Sequence, residues 1–253
     1  MSTKLLFIIA VKYYKTYKNY INLYIDNINK FYEDSLIILV DNNSKYIDDV
    51  KCLIKDYTNV KLLNNDLTCK FELGAYNKGI QYVLSNNICY DYIIFSQDTF
   101  VSNKKYDFNK LKENNNYAVS FNHCLTDYAN IFVYMNDKIN IDILNKIGLY
   151  NDKTSYSICW CNSFVLHNTK VQEYYDIVKD IVITSRFNGS VQSERFLSNI
   201  LYLLNNRKHD SLCGLMDTCD ILGYECWTVD IENNNLPHFF VKTVQQKTEK
   251  TLD

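Results

Sequence analysis

The chain has 253 residues, 47% of them hydrophobic, and a formal net charge of −2, which is enough material for one sizeable core. So balanced a charge excludes a bulk electrostatic partner such as nucleic acid or an anionic membrane, and any phosphate recognition has to be local. Nine cysteines, an odd number with no CxxC pair, fit free thiols in a reducing, cytoplasmic compartment, and no apolar run approaches the length of a transmembrane segment.

Leu5 to Val11 follows Lys4 much as a leader peptide would. Lys12, Lys15 and Lys18 come at once afterwards and no small-residue cleavage site is present, so the segment predicts a first strand. Tyr17, Tyr20, Ile21, Tyr24, Ile25, Ile28 and Phe31 recur at three- and four-residue spacing, an amphipathic helix that covers a sheet face. Ser35 to Val40 is a second apolar strand, ending in Asp41-Asn42-Asn43-Ser44. Strand, helix and strand, with both strands apolar throughout, imply a right-handed parallel crossover. The same polar tip suits an Asx-turn into a helix around Ile47 to Tyr57.

Asn59 to Asn65 predicts a third strand. In the segment from Phe71, Tyr76, Ile80, Val83 and Leu84 share one helical face. Gly74 and Gly79 in its opening turns cost about 1 kcal/mol each relative to alanine; close approach of a ligand or of a neighbouring strand would explain them. Tyr92 to Val101 begins as a strand buried on both faces and turns polar at Ser96-Gln97-Asp98-Thr99. In open α/β sheets ligands bind beyond the carboxyl ends of the strands, where Asp98 would suit a metal or a phosphorylated ligand. A loop aspartate capping the next turn is the plainer reading.

In the second half, Ala118 to Phe121 and Ile131 to Met135 predict strands, and Ile141, Leu144, Ile147 and Leu149 a short helix. Ser157 to Leu166 predicts one continuous strand, with Cys159 and Cys161 alternating as packed hydrophobes. Val171, Tyr174, Tyr175, Val178 and Ile181 mark another helix. Glu194 opens a last helix through Leu197, Ile200, Leu201 and Leu204, where the dipole alone would favour it by about 0.3–1 kcal/mol. His123, His167 and His209 have no partner pattern. His238 follows the only proline, and residues 243–253 are a polar tail.

Val40-Asp41-Asn42-Asn43-Ser44, then Glu72-Leu73-Gly74-Ala75-Tyr76-Asn77-Lys78-Gly79, then a strand ending Ser96-Gln97-Asp98, resemble in order and spacing the nucleotide-sugar half of a family 2 type GT-A glycosyltransferase. The resemblance covers the first half of the chain. It implies an α/β, Rossmann-like GT-A fold with a mixed, mainly parallel sheet and helices on both faces. It also implies one domain over 1–242, with a donor half (1–101) and an acceptor half (102–242). The implied activity moves a sugar from a nucleoside diphosphate sugar to a hydroxyl of a glycan or other acceptor, metal-dependent and inverting.

Carried over residue by residue, Asp41 contacts the base or ribose, and the Gly74 to Gly79 segment with Asn77 packs against the nucleotide. Ala10, Tyr13, Asn43 and Gln97 line the same donor site. Asp98 is the last carboxylate of a DxD motif, holding Mn²⁺ or Mg²⁺ on the diphosphate, with His238 returning late to the ion. Glu194 is the general base, and Arg195 or Lys242 could assist or replace the metal. Ser96 departs from the pattern, because it stands where the first Asp is usual, so one carboxylate faces the cation. Two alternatives stay open. One is a catalytically silent GT-A domain that binds glycan or protein. The other is a sugar-phosphate nucleotidyltransferase, against which Lys12-Tyr13-Tyr14-Lys15 lacks a glycine-rich phosphate loop. No GxGxxG follows a strand, which speaks against a dehydrogenase or methyltransferase.

Overall fold

The computed structural model describes residues 3–14, 20–121, 123–125, 138–148, 157–184, 191–210, 212 and 240–242. Its first half alternates strands and helices: β1 (Leu5–Val11), α1 (Ile21–Phe31), β2 (Leu36–Asp41), α2 (Ile47–Ile54), β3 (Val60–Asn64), α3 (Phe71–Ser85) and β4 (Tyr92–Gln97). Then follow β5 (Phe100–Ser102), α4 (Asn109–Glu113), β6 (Ala118–Ser120), β7 (His123–Leu125), α5 (Lys138–Lys146) and β8 (Ser157–Cys159). A 3₁₀ turn at Trp160–Asn162 leads to β9 (Phe164–His167), α6 (Asn168–Val178), α7 (Val191–Leu204) and β10 (Phe240–Lys242).

Six strands form the main sheet in the order β3-β2-β1-β4-β9-β6. The first four are mutually parallel, and β9 runs antiparallel to both β4 and β6. This is the expected α/β class with a mixed, mainly parallel sheet. All seven residues of β1 are buried, as a strand covered on both faces requires. Its alternation sends Leu6, Ile8 and Ala10 into a core with α3, α6 and α7, and Leu5, Phe7, Ile9 and Val11 into a second core with α1 and α2. On α1, the buried residues Ile21, Tyr24, Ile25 and Ile28 form the stripe that meets the sheet.

Both glycines of α3 are accounted for by the chain's own packing. A Cβ on Gly79 would lie 2.6 Å from Ile8 Cγ2 of β1, and one on Gly74 would lie 2.1 Å from the carbonyl oxygen of Cys69.

As expected, the strand from Tyr92 ends where the chain turns polar: Asp98 and Thr99 form a turn, after which β5, a strand the sequence reading did not separate, leaves the sheet and pairs antiparallel with β10. The structure departs from the sequence reading at Ser157 to Leu166, expected as one strand and found as two. Cys161 (φ 59°) and Asn162 (φ 51°) are left-handed, so β8 pairs with β7 in a separate ribbon while β9 joins the main sheet. Cys159 and Cys161 are therefore not alternating strand residues, although both are buried. The predicted strand at Ile131 to Met135, His238 and the tail 243–253 lie outside the described residues. Among the described residues, no helix is long and apolar enough to cross a membrane.

Candidate functional site

The strand order places a reversal at the centre of the sheet. From β1 the chain steps outward to β2 and β3, and α3 then carries it back across β1 to β4 on the other side. The carboxyl ends of β1 and β4 therefore flank a topological switch point, where open α/β sheets take their ligands. Asp98 lies across this crevice. Its N–H donates to Ala10 O at 3.0 Å, one step beyond the Ala10–Gln97 pair of the ladder, and its Oδ2 accepts from the Lys12 N–H at 3.0 Å.

Alternation along β4 sends its last residues to opposite faces. Ser96 is fully buried on the α1 side, its hydroxyl 2.8 Å from Tyr24 OH. Burial pushes the Tyr24 phenol far above its ordinary range. Gln97 faces α3, where its Nε2 donates to Glu72 Oε1 at 2.9 Å while Thr99 Oγ1 donates to Gln97 Oε1 at 3.3 Å. Glu72 thus braces the residue that precedes Asp98. The sequence reading gave Glu72 no role, because no local pattern couples residues 25 positions apart.

Asp41, 1% exposed, closes the Asx-turn at the end of β2. It accepts from the Ser44 N–H at 2.9 Å and from the Ser44 hydroxyl, and that hydroxyl in turn accepts from the Tyr13 N–H at 2.8 Å. Asn43 is left-handed, with φ 58°, as asparagine tolerates in turns. The ammonium of Lys12 donates to Asn42 O at 2.6 Å and to Asn43 O at 2.5 Å. Asn65, at the end of β3, ties the neighbouring loops together by donating to Asn42 Oδ1 at 2.8 Å and to Cys69 O at 3.0 Å. Gly74 sits under this loop, where its missing Cβ admits the Asn65 amide and the Cys69 carbonyl.

The structure thus gathers Ala10, Tyr13, Asp41, Asn43, Gly74, Gln97 and Asp98 on one sheet edge. Asn77 lies elsewhere. It is 1% exposed and turned toward α6, where its Nδ2 donates to Val178 O at 3.3 Å and its Oδ1 has no hydrogen-bond partner.

Glu194 reaches the same edge through a turn. Because β9 runs antiparallel to β4 with Phe164 opposite Phe95, the preceding residues 160–162 contact the carboxyl end of β4. The first turn of α7 clamps that segment, with Glu194 Oε1 accepting from the Cys161 N–H at 2.8 Å and Ser193 Oγ donating to Asn162 Oδ1 at 2.8 Å. These bonds hold two left-handed residues that would otherwise be strained. The buried Cys159 thiol beside them is pushed well up, chiefly by burial and further by the charge of Glu194. Arg195, next on the helix, is 8% exposed.

Among the described residues, no resident metal site is assembled. Asp98 is the single carboxylate of the Ser96-Gln97-Asp98 motif and one of its oxygens holds the Lys12 N–H, while Ser96 points into the α1 interface. No group of three or more His, Cys, Asp or Glu among the described residues could hold an ion.

No protein-family model matches the chain, and no curated protein matches it. Solved structures do. A mannosyltransferase from Pyrobaculum calidifontis in complex with GDP-Man and Mn²⁺ aligns at 10% identity with a TM-score of 0.46, over 77% of this chain and 51% of that one. The chain therefore spans about half the length of that enzyme. A 4-diphosphocytidyl-2C-methyl-D-erythritol synthase from Anaerococcus prevotii aligns at 10% identity with a TM-score of 0.45, over 83% of this chain and 85% of that one. The architecture of this chain rests on its own strand order and register.

Proposed function

We propose that the chain binds a nucleoside diphosphate sugar in the crevice between β1 and β4 and transfers the sugar to a hydroxyl of a glycan or other acceptor. Residues 1–242 would act as one transferase domain, donor half first. The observation that supports this most is Asp98 lying across the topological switch point, bonded to Ala10 and Lys12, with Glu194 delivered to the same edge by the clamped turn.

Glu194 takes the acceptor proton as the acceptor oxygen forms its bond to the anomeric carbon and the bond to the diphosphate oxygen breaks on the opposite side, which inverts the centre. The Cys161 N–H on Glu194 Oε1 orients the carboxylate for that role. Mn²⁺ or Mg²⁺, the ions implied by the resemblance, would be held by Asp98 and mainly by the ligand's own phosphates, and would supply positive charge to the departing diphosphate.

A second reading, a silent domain of the same fold that binds glycan or protein, draws on one observation: the Asp41 carboxylate is engaged by Ser44 on both oxygens. A thermal-shift series with UDP, GDP, CDP and dTDP and their sugars, on the native chain and on Asp98→Ala, separates the two. A shift for one nucleotide that the variant loses supports the transferase. No shift from a folded sample moves the reading to the silent domain.

A further inference from the structure

We propose that Lys12 is the group that meets the phosphate charge of the ligand in this crevice, in the place of a protein-held divalent ion. The inference rests on the donor-site reading above.

Lys12 is the first residue after β1, at the switch point itself, with its backbone N–H on Asp98. Its ammonium is held by two backbone carbonyls, those of Asn42 and Asn43. Three donors are available on an ammonium, and two are used. No carboxylate among the described residues pairs with it. Among the described residues the edge also carries the carboxylates of Asp41, Glu72, Asp98 and Glu194, which repel a diphosphate, and Arg195 next to Glu194 is only 8% exposed, so an anionic ligand there needs an accessible cation. Ser96 has given up the position from which a second carboxylate would hold an ion, since its hydroxyl is buried against Tyr24. The two carbonyls also hold the lysine in one arrangement, so less side-chain freedom is lost when a phosphate arrives.

The test is calorimetric titration of the four nucleoside diphosphates and their parent nucleosides, each in chelator and in Mn²⁺. The samples are the native chain, Lys12→Gln, Lys12→Arg and Lys70→Gln. Lys70 serves as the comparison because its ammonium sits on the Leu67 carbonyl at the start of α3.

The native chain should bind one diphosphate in chelator. Lys12→Gln, whose amide can still donate to the Asn42 and Asn43 carbonyls, should weaken that diphosphate roughly tenfold or more, the scale of one charge-assisted hydrogen bond. It should leave the nucleoside unchanged; Lys12→Arg should recover most of the loss, and Lys70→Gln should show none. Diphosphate binding that appears only with Mn²⁺, or a Lys12→Gln loss equal for nucleoside and diphosphate, overturns the assignment and leaves the donor site standing. A native chain that binds none of these ligands in either buffer overturns the donor site and the assignment together.

Discussion

The hydroxyls of Ser96 and Tyr24 lie 2.8 Å apart in the interface between β4 and α1, with Ser96 fully buried. The residue that the resemblance puts in the place of a first DxD aspartate therefore faces a helix, away from the crevice. Ser96→Asp should not create a metal site. It should bury a carboxylate against a phenol, at a loss of several kcal/mol of stability. Urea denaturation measures the loss, and Mn²⁺ titration of the same variant checks the rest: a stable Ser96→Asp protein with a new Mn²⁺ affinity would contradict this placement. Tyr24→Phe, which leaves the Ser96 hydroxyl without its partner, should cost about 1–3 kcal/mol.

Gly79 is small because Ile8 lies against it. Gly79→Ala gains about 1 kcal/mol of helix propensity but forces a Cβ to 2.6 Å from Ile8 Cγ2, an overpacking cost of about 1–3 kcal/mol. The net change in the native background should be destabilising. In an Ile8→Ala background the same substitution should turn neutral or stabilising, a coupling that a double-mutant cycle reads directly. Gly74→Ala should cost more than Gly79→Ala, since the atom in its way is the Cys69 backbone carbonyl rather than a side chain.

Alkaline pH should unfold the protein through its buried tyrosines. Burial pushes Tyr32 and Tyr92 up to about 12, whereas an unfolded tyrosine titrates near 10. Between these values the unfolded chain binds fewer protons than the folded one, so stability falls as pH rises. Below about pH 10 their contribution is fully present. Each such tyrosine adds at most about 1.4 kcal/mol per pH unit across that window. Urea midpoints at rising pH, read beside phenolate absorbance, check this. Phenolate absorbance that develops near pH 10 in the folded protein, with no loss of stability, would count against it.

Glu194 should separate chemistry from stability. Glu194→Gln keeps an oxygen for the Cys161 N–H and should change stability by less than about 1 kcal/mol, while transfer should slow by about 10²–10⁴-fold if the residue is the base. Glu194→Ala should lose both, because the part-buried Cys161 N–H then has no acceptor from α7. Equal transfer rates in native protein and Glu194→Gln would remove Glu194 from the proposed chemistry.

Much of the architecture was legible in the chain. Seven apolar residues in β1 and the apolar runs of β2 and β4 can be satisfied only between two layers of helix, and the strand–helix–strand order then forces parallel crossovers. From that alone, Asp41 and Asp98 had to end on one edge, as the β1 register with β2 and β4 shows. Local periodicity also marked α1, α3 and α7, because buried residues on a helix recur at the spacing of its turn.

The local Asx-turn of Asp41 with Ser44 was legible from the residue types themselves, but long-range partners were not. Whether Ser96 meets Tyr24 and whether Glu72 holds Gln97 depend on which distant segments arrive at one point, and periodicity carries no such information. The left-handed turn at Cys161 and Asn162 was missed for the same reason. An apolar run of β type continues on paper from Ser157 to Leu166, and it breaks because Ser193 and Glu194 of α7 hold the two residues in a conformation that propensity alone disfavours. Apolar pattern is a property of neighbours along the chain and specifies layers and edges. The polar contacts that shape the crevice join residues tens of positions apart, and they exist only once the sheet has brought those residues together.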